Sequence, residues 1–221
     1  MIVLMFGPPG SGKGTQAAII APELQIPHIS TGEMLRAEIA HGSALGREVA
    51  PIIDKGELVS DDLMVRVMES RLGEPDAHAG AVLDGFPRTV PQAEALDVLL
   101  RRGGRRVDVV ISIEVSPEVL VGRILHRGQT DGRADDNAEV FAARMDAYRA
   151  DSEPVLGYYR GVGTRVEPVA GVGSVEEVGA RILEVLSEKD DPGAGHGGGL
   201  AGARFSPGNA APAPALAEDA S

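Results

Sequence analysis

The residues best suited to chemistry lie near the N-terminus, where an apolar run leads into the sequence GPPGSGKGT at residues 7–15. Glycines let a backbone approach a ligand closely, and the N–H groups that open the following helix can face the oxygens of a phosphate. Lys13 would add a positive charge that reaches the β- and γ-phosphates of a nucleotide. The stretch therefore predicts a phosphate-binding loop, or P-loop, rather than an ordinary glycine-rich turn.

The P-loop departs from the usual pattern at one position. The residue after the lysine is normally Ser or Thr, whose hydroxyl binds Mg²⁺, whereas here Gly14 follows Lys13 and Thr15 comes one residue later. A metal ion would then be held mainly by phosphates and water, with help from an acidic residue on a neighbouring strand. Asp84 follows the apolar run 81–83 and suits that role, although it could also be a simple turn or cap residue.

Several arginines could balance the charge of a phosphoryl group in transfer, where the protein contributes mainly position and compensating charge. Arg88 ends the sequence DGFPR and has the forked donors that clamp a phosphate. Arg123 and Arg127 are one helical turn apart and share a face of one predicted helix. A polar loop at 128–136 follows, and then Arg144 on the next helix. A solvated basic face is the alternative, but it is a weaker account for a chain with a net charge of −12.

Alternating strands and helices would position these side chains. Apolar runs predict strands at 2–6, 81–83, 107–115 and 164–169, with a weaker candidate at 26–29. Helical patterns lie between them, including one that runs from the P-loop to about Leu24 and others at 91–100 and 175–186. This alternation predicts a parallel sheet with helices on both faces and ligands at the carboxyl ends of the strands.

One stretch breaks the alternation. Two helical patterns, 33–40 and 45–54, follow each other with no strand between them, and Gly42 and Gly56 mark their ends. Capping boxes are expected at Ser30 and, far downstream, at Ser174. The helical pair predicts a small insertion that stands off the sheet.

The bulk composition limits the possible partners and location. The chain has 221 residues, no cysteine and a formal charge of −12, so nucleic acid and anionic membranes are poor partners. It also contains no apolar stretch long enough for a membrane span and no signal-peptide pattern. We therefore expect a soluble, cytoplasmic protein without disulfides or thiolate metal sites.

The last part of the chain, residues 190–221, is dominated by Gly, Ala and Pro. Such a segment offers little that could pack against a core, so the composition predicts a disordered tail. A passive extension is favoured over a binding segment.

Four motifs occur in an order that resembles the adenylate kinase family: GPPGSGKGTQ, STGEMLR, DGFPRT, and RGQTDGRADD followed by the helix with Arg144. The similarity covers about residues 1–189. The family also carries GKGT, so Gly14 is normal within it. Glu33 departs from the family's pattern, because STGD is common where this chain has STGE.

The resemblance implies an α/β P-loop fold of three layers with a central parallel five-stranded sheet, a helical insertion that binds the nucleoside monophosphate (NMP), and a short lid. The core would be 1–29, 60–125 and 137–189, the NMP-binding insertion 30–59, and the lid 126–136. A zinc-binding lid, found in some relatives, is excluded because the chain has no cysteine and only His126 lies near the lid.

The resemblance also implies an activity: the reversible, Mg²⁺-dependent transfer of the γ-phosphoryl group of ATP to AMP, which gives two ADP and maintains adenine nucleotide balance. We expect ATP, AMP and ADP as partners and a monomer as the working state. A UMP/CMP kinase is the nearest alternative, and a P-loop ATP-binding switch protein is the alternative from another class. Thr31 and Gln92 are associated with adenine preference in the family, which favours AMP.

Residue roles follow from the resemblance alone. ATP would be held by Gly10, Ser11, Gly12, Lys13, Gly14, Thr15, Arg123, Arg127 and Gly173. AMP would be held by Thr31, Arg36, Glu57, Leu58, Val59, Gly85, Phe86, Pro87, Arg88, Gln92, Arg133 and Arg144. The catalytic set would be Lys13, Arg88, Arg123, Arg127, Arg133 and Arg144, and Asp84 would act on Mg²⁺ through water.

Overall fold

The computed structural model describes residues 1–130 and 138–188. Five parallel strands form one sheet in the order β2-β3-β1-β4-β5. They are β1 (Ile2–Phe6), β2 (His28–Ser30), β3 (Ala81–Asp84), β4 (Val109–Glu114) and β5 (Arg165–Ala170). The predicted five-stranded parallel α/β fold is confirmed. The weakest candidate, 26–29, corresponds to β2, which is three residues long and lies at the edge of the sheet.

Nine helices of the described part of the chain connect the strands. They are α1 (Lys13–Glu23), α2 (Thr31–Ala40), α3 (Ala44–Asp54), α4 (Asp61–Leu72), α5 (Val90–Arg102), α6 (Pro117–Thr130), α7 (Ala138–Ala147), α8 (Glu153–Gly161) and α9 (Val175–Ser187). A 3₁₀ turn spans Pro75–Ala77, and a π-helical turn, Tyr148–Ser152, joins α7 to α8. None of the described helices is both long and apolar enough to cross a membrane.

Alternate residues of β1 face the two sides of the sheet, as the period of a strand requires. Ile2, Leu4 and Phe6 belong to one apolar cluster, whereas Val3 and Met5 belong to the other. Every residue of β1 is buried. The first cluster is completed by residues of α2, α3, α4, α5 and α8, and the second by residues of α1 and α9. The fold therefore has three layers, with the sheet in the middle.

The strand register brings the chain segments that carry the candidate site residues to one edge of the sheet. Met5 lies opposite Asp84 on one side of β3, and Ser30 lies opposite Asp84 on the other. Because the strands are parallel, the P-loop after β1, the start of α2 after β2 and the segment after β3 all leave from this edge.

Of the two capping boxes expected from the sequence, the structure has one in full and one in part. At α9, the Ser174 hydroxyl accepts from the Glu177 N–H at 3.2 Å and the Glu177 carboxylate accepts from the Ser174 N–H at 2.8 Å, so this capping box is confirmed. At α2, the Ser30 hydroxyl accepts from the Glu33 N–H at 3.4 Å. The Ser30 hydroxyl also donates to Asp84 at 3.4 Å, so this cap is shared with the carboxylate at the end of β3.

The prediction of a polar loop from residue 128 is wrong for its first three residues, because α6 continues to Thr130. Residues 131–136 of the predicted lid and the predicted tail 190–221 lie outside the described residues. The boundaries proposed for the core, the insertion 30–59 and the lid stay predictions.

The helical pair α2 and α3 is present as expected, and Gly42 and Gly56 both have positive φ, 64° and 75°. The backbone of α2 packs tightly against α3 at Gly46. A Cβ there would overlap the Glu38 carbonyl oxygen and lie 2.6 Å from the Ile39 nitrogen. This contact allows no side chain at position 46.

We expect Gly46→Ala to lower the free energy of unfolding by about 1–3 kcal/mol, because the added methyl forces α2 and α3 apart. Gly157→Ala is the matched control. Gly157 is exposed inside α8, and a Cβ there meets no other atom of the described chain within 4 Å. Removal of glycine from a helix interior should stabilise by about 0.5–1 kcal/mol. Urea unfolding of both variants measures the difference, and equal stabilisation would contradict a tight α2–α3 contact.

Candidate active site

A cavity of about 470 Å³ opens at the carboxyl edge of the sheet. Its wall is formed by the P-loop, the start of α2, the end of α3 with residues 56–59, the segment after β3, and the region of α7 and the π-helical turn. This is the place where open parallel sheets bind ligands.

The P-loop ends in a backbone conformation that exposes the start of α1. Gly12 is left-handed, with φ 97° and ψ 10°, and α1 begins at the next residue. Within the described part of the chain, no side chain caps α1 and its first turn holds no acidic residue. The N–H groups of that turn, together with the positive end of the helix dipole, therefore suit an anion.

The Lys13 ammonium lies across the same loop. Its Nζ donates to the carbonyl oxygens of Gly7 at 2.7 Å and Pro8 at 3.0 Å. These contacts hold a positive charge over the P-loop beside the N–H groups that open α1. The loop therefore gathers two kinds of anion-binding group in one place.

Asp84 is a partly buried carboxylate in the cavity wall, with a side chain that is 14% exposed. Burial by itself would raise the pKa of Asp84, but interactions with His28, Lys13 and Arg88 outweigh this effect and hold the pKa below its usual range. His28 Nε2 lies 3.8 Å from Asp84 Oδ2, which is ion-pair range and longer than a hydrogen bond. The carboxylate is therefore charged at neutral pH.

The position of Asp84 also explains the unusual glycine of the P-loop. A Cβ built at Gly14 would lie 3.2 Å from Asp84 Oδ2, closer than side chains normally approach. A serine or threonine at position 14 would crowd the carboxylate. Gly14 therefore lets the P-loop pass close to the acid without a steric conflict.

Three arginines from three different elements line the cavity: Arg36 on α2, Arg88 after β3 and Arg144 on α7. Desolvation in the cleft lowers the pKa of Arg88, and Arg144 and Arg36 lower it further, whereas Asp84 raises it. The Arg88 guanidinium donates from Nε to the Gly85 carbonyl at 2.8 Å, which fixes its direction. Arginine keeps its proton under these conditions, so the group is a concentration of positive charge.

Thr31 and Gln92 are both 2% exposed and lie in the cavity wall. The Thr31 hydroxyl donates to the Gly85 carbonyl at 3.0 Å, which leaves its oxygen able to accept. The Gln92 amide oxygen accepts from the Arg88 backbone N–H at 2.7 Å, and its NH₂ group donates to Asp61 at 2.8 Å. Both side chains are thus held in defined orientations.

Arg123 connects two loops. Its guanidinium donates to the Ser11 carbonyl of the P-loop at 3.2 Å and to the Gly171 carbonyl after β5 at 2.8 Å. Gly173, which has φ 123°, lies two residues further along the second loop. Arg123 therefore holds the P-loop against the loop that follows β5.

Most of the residues predicted from the sequence come together in this cavity. Those that line it are Gly10, Gly12, Lys13, Gly14, Thr15, Thr31, Arg36, Glu57, Leu58, Val59, Asp84, Gly85, Pro87, Arg88, Gln92 and Arg144. Ser11, Phe86, Arg123 and Gly173 are not among the described lining residues. The Arg127 side chain and all of Arg133 lie outside the described part of the chain.

The sequence analysis missed several members of the site. Tyr148 and Ser152 belong to the π-helical turn, which no motif marks, and both line the cavity. Burial, followed by Glu153 and Glu114, raises the pKa of Tyr148 to about 12, so it stays a neutral phenol. The apolar lining by Leu35, Ile53 and Met64 was also missed, although their spacing on amphipathic helices was visible. Within residues 1–130 and 138–188, no group of three or more acidic or histidine side chains forms a metal cluster.

Comparisons with known proteins identify similar sequences. A family model described as adenylate kinase matches residues 5–164. An adenylate kinase of Phenylobacterium zucineum is 49% identical over 187 residues, which cover 85% of this chain and 98% of the relative. Adenylate kinases of Stenotrophomonas maltophilia and Caulobacter vibrioides are 47% and 48% identical over 186 residues, which cover 84% of this chain and 99% and 97% of those relatives.

We expect Arg123→Met to weaken the binding of a non-hydrolysable ATP analogue about tenfold or more, because two charged hydrogen bonds that hold the P-loop are lost. Arg181→Met is the matched control. Arg181 donates to the Ala170 and Val172 carbonyls at 2.8 and 2.7 Å, so it supports the same loop after β5 without a contact to the P-loop in the described structure. Calorimetry of both variants gives the dissociation constants. Equal weakening by the two changes would show that the link to the P-loop is unimportant.

Proposed function

Because this chain belongs to the adenylate kinase family, we propose that its cleft binds ATP and AMP side by side and transfers a phosphoryl group between them. Members of the family are phosphotransferases that convert ATP and AMP reversibly into two ADP, and this chain has that activity. The single observation that carries the site assignment is the pairing of a P-loop with a separate group of three arginines in one cavity.

The donor half is the P-loop. Residues 10–15 would hold the phosphates of ATP through backbone N–H groups and through Lys13, whose ammonium moves from the Gly7 and Pro8 carbonyls onto the phosphates. Arg123 would support this half from behind the Ser11 carbonyl. Gly173 and Arg127 remain assignments by resemblance.

The Mg²⁺ of a bound nucleotide would lie beside Asp84. The acid is charged and partly buried, and Gly14 lets the P-loop, with the phosphates bound on it, pass close to the carboxylate. We propose that Asp84 holds this ion through water and that ATP phosphates supply its other ligands, which suits the preference of Mg²⁺ for oxygen and retained water. When bound, Mg²⁺ neutralises phosphate charge during the transfer.

The acceptor half is formed by the arginine group and the pocket next to it. Arg36, Arg88 and Arg144 would hold the phosphate of AMP and the group in transfer, with Arg133 completing the set by resemblance. The backbone at 57–59, the segment 85–88, Thr31 and Gln92 would hold the nucleoside. Leu35, Ile53, Val59 and Met64 give this part of the cavity an apolar wall that suits a base.

Phosphoryl transfer requires aligned substrates and compensating positive charge. It requires no general base, because the attacking phosphate of AMP is already an anion. By resemblance, the catalytic set would be Lys13, Arg88, Arg123, Arg127, Arg133 and Arg144, with Arg123 acting through its hold on the P-loop. An ATP-binding switch protein would have no use for the second phosphate site formed by Arg36, Arg88 and Arg144. We further propose that the enzyme works as a cytoplasmic monomer, with neither nucleic acid nor membrane as a partner, in keeping with its charge of −12.

Product analysis tests the acceptor. The full chain is incubated with Mg-ATP alone and with AMP, UMP or CMP, and the nucleotides are separated by chromatography. We expect ADP only with AMP, and ATP plus AMP from ADP in reverse. Efficient phosphorylation of UMP or CMP would favour the alternative kinase. ATP loss without any acceptor would indicate a hydrolytic switch.

We expect Arg88→Met to lower kcat/KM for AMP about 10- to 100-fold, because a charged phosphate contact is lost from the proposed acceptor site. Arg102→Met is the control, since Arg102 is a 70% exposed arginine on α5 that pairs with Glu69. Steady-state assays with AMP as the varied substrate give both values. Equal effects of the two changes would contradict the assignment of Arg88 to the acceptor site.

We expect Asp84→Asn to raise the Mg²⁺ concentration needed for half-maximal activity about tenfold, because the charged ligand of the hydrated ion is lost. Asp108→Asn makes the same charge change at the opposite edge of the sheet, where Asp108 accepts from the Ile2 N–H at 2.6 Å. Activity is titrated with Mg²⁺ at fixed nucleotide. An unchanged Mg²⁺ dependence of Asp84→Asn would place the ion elsewhere.

A further inference from the structure

The side-chain amide of Gln92 has one hydrogen-bond donor and one hydrogen-bond acceptor as partners. Its amide oxygen accepts from the Arg88 backbone N–H at 2.7 Å, and its amide nitrogen donates to Asp61 Oδ1 at 2.8 Å. A backbone N–H can only donate, and a carboxylate can only accept. A flipped amide would therefore set NH₂ against N–H and carbonyl oxygen against carboxylate. The two partners define one orientation of the amide independently of each other.

Asp61 is itself held in place. It is the first residue of α4, and the same Oδ1 atom accepts from the Thr89 hydroxyl at 3.0 Å. The Thr89 hydroxyl oxygen also accepts from the Gln92 N–H at 3.2 Å and so caps α5. The carboxylate is therefore tied both to the side chain of Gln92 and to the start of the helix that carries it.

Asp61 lies behind Gln92 rather than in the cavity. Among the residues that the structure describes, Gln92 is part of the cavity wall and Asp61 is not. Asp61 can therefore act on a ligand only through Gln92, as a positioning residue. If Asp61 only stabilised the fold, its carboxylate would not need to accept a hydrogen bond from the amide of a residue in the cavity wall.

The orientation of Gln92 decides which base edge it can pair with. An amide has two N–H bonds and two lone pairs on oxygen, so one of each remains after the contacts to Asp61 and Arg88. The remaining acceptor and donor match the N6 amino group and N1 of a 6-aminopurine. A 6-oxopurine presents the opposite order, an acceptor at O6 and a donor at N1–H, and would need the flipped amide.

We propose that Asp61 locks the side-chain amide of Gln92 in one orientation and thereby makes the acceptor site select 6-aminopurine over 6-oxopurine monophosphates. This inference rests on the proposed function, specifically on Gln92 contacting the base of the acceptor. It adds a specificity-determining residue that does not touch the substrate.

The test compares AMP with inosine monophosphate (IMP) as acceptors. We measure kcat and KM for each in the full-length wild type, Asp61→Leu and Asp61→Asn. Asp61→Leu removes the carboxylate that accepts the hydrogen bond from Gln92, so KM for AMP should rise with little change in kcat. The preference for AMP over IMP in kcat/KM should fall about tenfold or more. Asp61→Asn keeps an uncharged acceptor and should lie between Asp61→Leu and the wild type.

Asp62→Asn is the matched control. Asp62 is the next residue of α4 and is exposed, so it makes the same charge change away from Gln92. Its preference for AMP should equal that of the wild type. Thermal unfolding of each variant checks the fold, and Asp61→Asn serves as the decisive variant if Asp61→Leu does not fold.

A purely structural role for Asp61 would lower kcat/KM for both acceptors by the same factor, and an unchanged preference in Asp61→Asn and Asp61→Leu would overturn the inference. Gln92→Leu separates this failure from that of the proposed function. If Gln92→Leu abolishes the preference while the Asp61 variants keep it, only the locking role is wrong. If Gln92→Leu also keeps the preference, the proposed acceptor pocket is wrong and the inference falls with it.

Discussion

A partly buried negative charge at the end of β3 governs the arrangement of this site. Asp84 lies where β1, β2 and β3 end together, and burial of a carboxylate is costly unless it is paired. The positive charges of Lys13 and Arg88 favour the ionised form of Asp84, His28 lies 3.8 Å away, and the Ser30 hydroxyl donates to the same carboxylate. The positions of the P-loop, the start of α2 and the segment after β3 are thus tied to one carboxylate. The same carboxylate explains why the P-loop has a glycine where a hydroxyl residue is common.

The parts of the structure that the sequence predicted well are those determined by local pattern. β1 is a continuous apolar run because both its faces are buried, and the P-loop is recognisable from its glycines and Lys13. The capping box at Ser174 depends on residues three apart, so it too is visible in the sequence. These features need no knowledge of distant contacts.

The features that were missed depend on packing between distant segments. Asp61 and Gln92 are 31 residues apart, and nothing in either neighbourhood indicates that their side chains meet. The polar loop was predicted to begin at Gly128, but one glycine costs a helix only about 1 kcal/mol and α6 continues to Thr130. The π-helical turn has no pattern of its own, so Tyr148 and Ser152 could not be assigned to the cavity.

The arginine group adds a second constraint, because three like charges in one cleft repel each other. Arg36, Arg88 and Arg144 are carried by α2, by the segment after β3 and by α7, so their repulsion acts between separate elements. In the proposed complex, an anionic phosphate bound among them would replace this repulsion with attraction. A ligand favours the arrangement of a protein for which it has the higher affinity, so such a phosphate would favour arrangements in which all three guanidinium groups reach it. The proposed acceptor site therefore depends on the relative positions of three separate elements.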